Sequence, residues 1–255
     1  AGRGGLEVLL RVRGADGGAA APGRLISVAE RAGEMPTIDR FVLSSTLRYL
    51  AENPGHAGQL EFMAVNLSGA SLNDERFIAD ACAMLGDDRD AAGRICLEIT
   101  ESVALQDLQA TRRFVDTMRS LGVRIALDDF GAGYTSFSYL ADLQAQFVKI
   151  DGGFVRDMLA KPSRGAIMET LVELTHRLGM QAIAEWIEDA PTLEALQALR
   201  CDYGQGYFFA GAAPLAEWAA RPLPRVLTAA SRRSAAPSRV LALPTRGRDS
   251  TGMTG

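Results

Sequence analysis

The feature that most restricts the fold is a rhythm. Short apolar runs alternate with longer segments of helical period, and the polar residues of the runs gather toward their ends. The runs are residues 6–12, 61–67, 94–100, 124–128, 147–151, 181–185 and 201–209. Between them, apolar residues recur at helical spacing, as in Phe114, Val115, Met118 and Leu121 or Leu171, Leu174 and Leu178. Strands alternating with amphipathic helices predict a parallel sheet whose faces are covered by the crossover helices. The near-continuous apolar character of the runs fits strands buried on both faces. No glycine-rich phosphate fingerprint follows the first run, which argues against a dinucleotide-binding sheet.

The late polar residues sharpen this prediction. Asn66, Glu98, Asp128, Asp129, Lys149 and Glu185 each stand at or near the end of a run. In a (β/α)₈ barrel those ends converge on one mouth, where active sites of that fold are built. Glu7 and Arg11 belong to the first run and, four apart in a strand, are expected on one face. Seven strands are visible, and a closed barrel needs eight. Only five residues precede Leu6, so the expectation is a barrel lacking its first, N-terminal strand and helix, with an open and aggregation-prone edge.

Charge divides the chain in two. The net charge is −4, yet residues 221–255 hold seven Arg against Asp249 and sum to +6, which leaves −10 on the remainder. An acidic body argues against binding a DNA or RNA polymer by charge. The expected organisation is one domain over residues 1–220 and a disordered Arg/Ser/Pro-rich tail over 221–255. At 47% hydrophobic residues the body can bury a sizeable core. No apolar run approaches the roughly 20 residues of a membrane span. Cys82, Cys96 and Cys201 are isolated and odd in number, as expected of reduced thiols in the cytoplasm. His56 and His176 stand alone and are assigned structural positions. The start at Ala1 reads as a fragment or one domain of a longer polypeptide.

If the ends converge, Glu7, Glu98, Asp128, Asp129 and Glu185 supply carboxylates and Asn66 a neutral carbonyl oxygen. Oxygen-only ligation selects hard cations, Mg²⁺ or Mn²⁺. So many carboxylates suit two ions better than one, and such pairs serve in-line displacement at phosphorus. Lys149 is the single cation among these acids, fit to hold a water or to neutralise charge on a phosphate. A salt bridge to a neighbouring acid would equally explain it. The adjacent Asp128 and Asp129, followed by Gly131 and Gly133, predict a flexible loop at the mouth.

Eight segments in order resemble the EAL domain family, the bacterial phosphodiesterases specific for cyclic di-GMP. They are Glu7-Val8-Leu9-Leu10-Arg11, Ile26-Ser27-Val28-Ala29-Glu30, Val65-Asn66-Leu67-Ser68, Leu97-Glu98-Ile99-Thr100-Glu101-Ser102, Asp128-Asp129-Phe130-Gly131-Ala132-Gly133-Tyr134, Lys149-Ile150-Asp151, Ala184-Glu185-Trp186-Ile187-Glu188 and Gln205-Gly206-Tyr207. The resemblance implies an α/β fold, a TIM-like (β/α)₈ barrel of the EAL type with one antiparallel strand. It implies hydrolysis of cyclic di-GMP to linear 5′-pGpG with two Mg²⁺ or Mn²⁺ ions and a metal-activated water. By position, Glu7, Asn66, Glu98, Asp128, Asp129 and Glu185 would be metal ligands. Lys149, Glu185 and Asp129 would carry the catalysis. Leu9, Arg11 and Gln205 would meet substrate. Glu101 would hold the loop with Gly131 and Gly133, and Glu188 would lie behind the ligands. A homodimer, a fused or upstream sensor or GGDEF-type domain, and a cytoplasmic place in a larger membrane-associated bacterial protein are compatible with the resemblance.

Two departures bear on activity. Trp186 stands where the family has Gly, and a large ring there is expected to crowd Glu185. The family's Gln-Pro-Ile-type strand before Glu7 has no counterpart. The alternative reading is therefore a catalytically impaired EAL-fold receptor for cyclic di-GMP, or a protein-interaction scaffold.

Overall fold

The structure, a computed structural model, describes residues 4–13, 19–131, 139–219 and 240–242. Its strands are β1 (Gly4–Val8), β2 (Val12–Arg13), β3 (Ala19–Ala20), β4 (Leu60–Asn66), β5 (Ile95–Thr100), β6 (Arg124–Phe130), β7 (Phe147–Ile150), β8 (Gln181–Ala184), β9 (Tyr203–Gln205) and β10 (Val240–Ala242). The helices are α1 (Gly23–Ala32), α2 (Met35–Glu52), α3 (Pro54–Ala57), α4 (Gly69–Leu72), α5 (Glu75–Gly86), α6 (Arg89–Ala92), α7 (Glu101–Gln106), α8 (Leu108–Ser120), α9 (Leu140–Leu143), α10 (Gly152–Asp157), α11 (Pro162–Arg177), α12 (Ala190–Ala198) and α13 (Leu215–Ala219). Several start on an Asp whose carboxylate accepts a backbone N–H of the first turn: Asp74 for α5, Asp107 for α8, Asp151 for α10 and Asp189 for α12.

Seven parallel strands, β1 and β4 to β9, curl into a barrel, and β1 pairs with β4. The outward residues of the strands pack against the helices in one continuous core that includes Leu97, Ile99, Val148, Phe114, Met118 and Leu171. A second cluster fills the lower interior: Phe62, Ala64, Cys96, Ala126, Phe147, Ile183 and Tyr203. The Phe62 and Phe147 rings lie 4.9 Å apart, and Tyr203 meets both edge-on. Gly5 of β1 belongs to this layer for steric reasons, since a Cβ there would stand 2.5 Å from the Phe62 ring.

The structure corrects three expectations. The first strand ends at Val8 because its partner β4 ends at Asn66, and Val8 pairs with Val65. Arg11 is therefore outside the barrel, and the neighbouring Val12–Arg13 pairs with Ala19–Ala20 in a two-stranded sheet. The last of the seven runs shortens to three residues, Tyr203–Gln205. The open edge is filled: β10 lies antiparallel between β1 and β9, with Val240 opposite both Gly5 and Gln205. Two exposed edges present unpaired backbone donors and acceptors, and an extended segment satisfies them. Within the tail expected over 221–255, residues 240–242 form this strand; the others lie outside the described residues. Among the described residues, no helix is long and apolar enough to cross a membrane.

Candidate active site

A strand places every second side chain on the same face. Going two residues up each strand from the lower aromatic layer leads to the polar layer above it. Gly5 is followed by Glu7, Ala64 by Asn66, Cys96 by Glu98, Ala126 by Asp128, Phe147 by Lys149, Ile183 by Glu185 and Tyr203 by Gln205. The barrel thus gathers the sequence-predicted acids without further adjustment, with one exception. Asp129 would point outward beside Asp128 in a regular strand. The β6–β7 register shifts between Leu127 and Phe130, and Asp129 adopts a left-handed conformation with φ 54°. This bulge brings both acids to the mouth, so that ligand oxygens of Asp128, Asp129 and Glu185 lie within 4.8 Å of one another.

Lys149 is the hub. Its Nζ lies 2.8 Å from Glu98 Oε2, 3.0 Å from Asp128 Oδ1, 3.0 Å from Glu185 Oε1 and 3.9 Å from Glu7 Oε2. Burial alone would lower its pKa, but the charges of Glu98, Glu7, Glu185 and Asp128 hold it well above its ordinary value. Burial raises Glu98 well above the carboxylate range and pushes Glu185 up to about 7, with Lys149 opposing both shifts. Burial and neighbouring Asp128 raise Asp129. Glu7 moves the other way: burial would raise it, but Lys149 and hydrogen bonds from Gln205 and Asn66 hold it low. Those bonds are short, with Asn66 Nδ2 donating to Glu7 Oε1 at 2.8 Å and Gln205 Nε2 to Oε2 at 2.5 Å.

One ammonium among five carboxylates leaves an excess of buried negative charge. Two buried acceptors, Glu98 Oε1 and Gln205 Oε1, also find no hydrogen-bond partner among the described residues. Unpaired buried acceptors beside crowded carboxylates fit a site completed by hard divalent cations. The donors are all oxygen, so Mg²⁺ or Mn²⁺ fits and a thiophilic metal does not.

Glu101 sits outside this cluster and is buried. Its Oε2 accepts the Gly131 N–H at 3.0 Å, and its Oε1 accepts the Tyr139 hydroxyl at 2.6 Å. It thereby ties both ends of the segment between residues 131 and 139. Gly131 has φ 91°, which suits glycine; Gly133 lies outside the described residues. Tyr139 was not singled out from sequence, and nothing in its local pattern marks it.

The mouth opens into a cavity of about 490 Å³ lined by Glu7, Leu9, Asp128, Asp129, Lys149, Arg156, Glu185, Trp186, Glu188, Gln205, Gly206 and Tyr207. Leu9 and Glu188 both line this cavity, Glu188 in the wall itself and not behind it. Arg11 does not line this cavity, and its guanidinium donates to the neighbouring Leu10 carbonyl. Trp186 does not crowd Glu185. With φ 56°, it turns out to the rim, where it is 48% exposed and lies over α10. The Arg156 guanidinium stands 4.6 Å from the ring centroid, and a Cβ on Gly152 would collide with the ring. Arg156 was missed from sequence, although it stands one helical turn beyond Gly152 just after a barrel strand. His56 and His176 have structural partners, Tyr49 and Asp202.

A parallel barrel with a carboxylate-rich, lysine-centred mouth defines a class of site: an oxygen-lined pocket suited to hard divalent cations. The family follows from comparison. The EAL domain family matches residues 2–212, and the chain belongs to it. It is 33% identical over 213 residues to the cyclic di-GMP phosphodiesterase PdeB of Shewanella oneidensis, covering 84% of this chain and 25% of that protein. It is 32% identical over 209 residues to the cyclic di-GMP phosphodiesterase PdeF of Escherichia coli, covering 82% of this chain and 28% of that protein. The solved structure of the PaMucR phosphodiesterase in complex with c-di-GMP superposes with a TM-score of 0.73 at 32% identity, covering 80% of this chain and 83% of the other. The chain spans about a quarter of the length of the curated relatives it matches.

Proposed function

We propose that this chain hydrolyses cyclic di-GMP to linear 5′-pGpG with two divalent cations, Mg²⁺ or Mn²⁺. The observation that carries this reading is the mouth itself, where four carboxylates surround one buried ammonium and Glu98 Oε1 has no partner among the described residues. Glu7, Asn66, Glu98, Asp128, Asp129 and Glu185 are the proposed ligands. When bound, the ions neutralise the acids, polarise a phosphoryl oxygen and lower the pKa of a water. Lys149, fixed by three carboxylates at 2.8–3.0 Å, presents its charge to the water and the developing phosphorane. Glu185 would serve as a metal ligand or as the base that accepts the proton of the attacking water. Gln205 and Asn66 set the orientation of the Glu7 carboxylate. Leu9, Trp186, Arg156 and Tyr207 form the rim that meets the nucleotide. Arg11 and Glu188 are left as peripheral contributors. Glu101 anchors Gly131 and Tyr139 through its two carboxylate oxygens.

The likeness to phosphodiesterases named for cyclic di-GMP supports the choice of substrate. The proposal carries a cytoplasmic setting, in keeping with three unpaired cysteines, and fusion to or association with a sensor or GGDEF-type domain. Chromatography of cyclic di-GMP incubated with the chain and Mg²⁺ tests it. Linear pGpG, absent with EDTA, is expected. Binding of cyclic di-GMP without turnover would instead assign the chain to the receptors, and neither binding nor turnover would remove the substrate.

A further inference from the structure

The slot between β1 and β9 is the one place where the barrel is closed by a segment remote in sequence from both neighbours. The occupant is short. Val240, Leu241 and Ala242 pair with Gln205, Gly204 and Tyr203 on one side, and Val240 pairs with Gly5 on the other. The rest of the seam between β1 and β9 has no strand. Three residues give a small ladder, and the entropy cost of ordering them opposes the gain. Such a segment exchanges between docked and free states far more readily than a long strand held on both sides.

Its register matters for the mouth. Val240 lies opposite Gln205 itself and opposite Gly5, two residues below Glu7 on the same face of β1. Gln205 and Glu7 are bonded to each other across this seam, Nε2 to Oε2. Their strands are neighbours only through β10, as those of Lys149 and Glu98 are only through β6, but β10 is a three-residue strand whereas β6 has seven residues. Elsewhere the site residues sit on strands that pair directly: β1 with β4, β4 with β5, β5 with β6, β6 with β7 and β7 with β8.

The geometry points to this seam as a strand-acceptor surface for the chain's own C-terminal segment, whose docking holds Glu7 and Gln205 in register and so tunes the cation site. The surface accepts an extended segment antiparallel to β1 and β9, the arrangement of β-strand addition. The second half of this inference rests on the function proposed above; the docking itself does not.

Hydrogen exchange by mass spectrometry tests the docking on the full chain without any ligand. Amides at 240–242 should exchange at least about tenfold more slowly than an unstructured chain. Exchange at the unstructured rate would overturn the proposal. Leu241→Pro removes a ladder donor and cannot sit in a central strand, whereas Leu241→Ala keeps the donor. Calorimetric titration with Mn²⁺ should show several-fold weaker binding for Leu241→Pro, near-normal binding for Leu241→Ala, and recovery when a synthetic peptide of residues 237–245 is added. Equal Mn²⁺ affinity in the proline variant would overturn the link to the site while exchange still reports on docking. Should Leu241→Pro fail to fold, the exchange measurement on the unsubstituted chain still decides. Protected tail amides with no Mn²⁺ binding by the unsubstituted chain would sink the function reading and the link, and leave the docked strand standing. A dimer that forms through the tail, seen by light scattering and lost in Leu241→Pro, would place the strand in a second copy and contradict docking within one chain.

Discussion

The lower and upper halves of the barrel interior are built from the same strands, two residues apart, and obey opposite rules. Below, Phe62, Phe147 and Tyr203 interlock with Ala64, Cys96, Ala126 and Ile183, and the Tyr203 hydroxyl donates to Glu61 at 2.9 Å. That layer satisfies itself by burial and packing. Above, four acids share one lysine, and two buried oxygens have no partner among the described residues. That layer is incomplete on its own terms. Buried charge is retained at a loss of stability where function requires it. The contrast predicts that changes below should cost stability without touching the chemistry, that neutralising an acid above should do the reverse, and that removing the one lysine above should cost both.

Lys149→Met should have the largest effect. It removes the one positive charge and leaves four acids facing one another, so both properties should fail. Turnover of cyclic di-GMP should drop by roughly 10³-fold or more, and metal-free thermal stability should fall too. Steady-state kinetics and a melt in EDTA check this; a variant with native turnover would take Lys149 out of the mechanism.

Phe147→Ala should reduce stability by about 3–5 kcal/mol through the cavity it leaves in the aromatic layer. Turnover per folded molecule should stay within a few-fold of the parent. Glu98→Gln makes the converse comparison. Burial already favours the protonated form of Glu98, which Gln imitates. The metal-free melting temperature should hold or rise while turnover falls about 10²-fold or more, the scale of losing one electrostatic contact to the transition state. A matched loss of stability and turnover in either variant would erase the distinction between the two layers.

The pH dependence should be smaller but signed. With its folded pKa raised from 4.5 to about 7, Glu185 binds more protons folded than unfolded between those values. Its contribution is full below the unfolded pKa and is lost as pH rises through about 7. Glu98 and Asp129 act in the same direction, whereas Glu7, held low, changes its contribution only below its unfolded value of 4.5, outside this window. Metal-free melting temperature should therefore decline from about pH 5 to pH 8, and excess Mg²⁺ should flatten the decline. A rise over that range would contradict the raised carboxyls of the upper layer.

Trp186→Ala should act least. The rim ring has one side on Arg156 and Gly152 and is half exposed. Losing an aromatic contact to a base should raise KM by several-fold to about 100-fold, from roughly 1–3 kcal/mol of stacking, with kcat little changed. A fall in kcat at constant KM would place the ring against Glu185 after all.

Much of this was legible in the sequence because a barrel converts strand order into position. The runs ending in Asn66, Glu98, Asp128, Lys149 and Glu185 already named the mouth, and the structure gathers them by period two alone. What was illegible depended on backbone conformation or on distant pairing. Asp129 reaches the site through a bulge at φ 54°, which no pattern of residue types announces. Trp186 escapes Glu185 by the same kind of left-handed turn. Arg11 seemed to share a face with Glu7, but β4 runs out of residues to pair with it beyond Val8. Residues 240–242 have the apolar character of a strand, yet their partners lie at Gly5 and Tyr203–Gln205, beyond the reach of local periodicity.

The account turns on cations completing the upper layer. The most direct measurement is the stoichiometry of Mn²⁺ binding to the metal-free full chain at pH 8, read by calorimetry alongside the Glu98→Gln variant. Two ions per chain, with at least one lost in the variant, is the predicted result. No saturable binding, or binding that Glu98→Gln leaves unchanged, would contradict it.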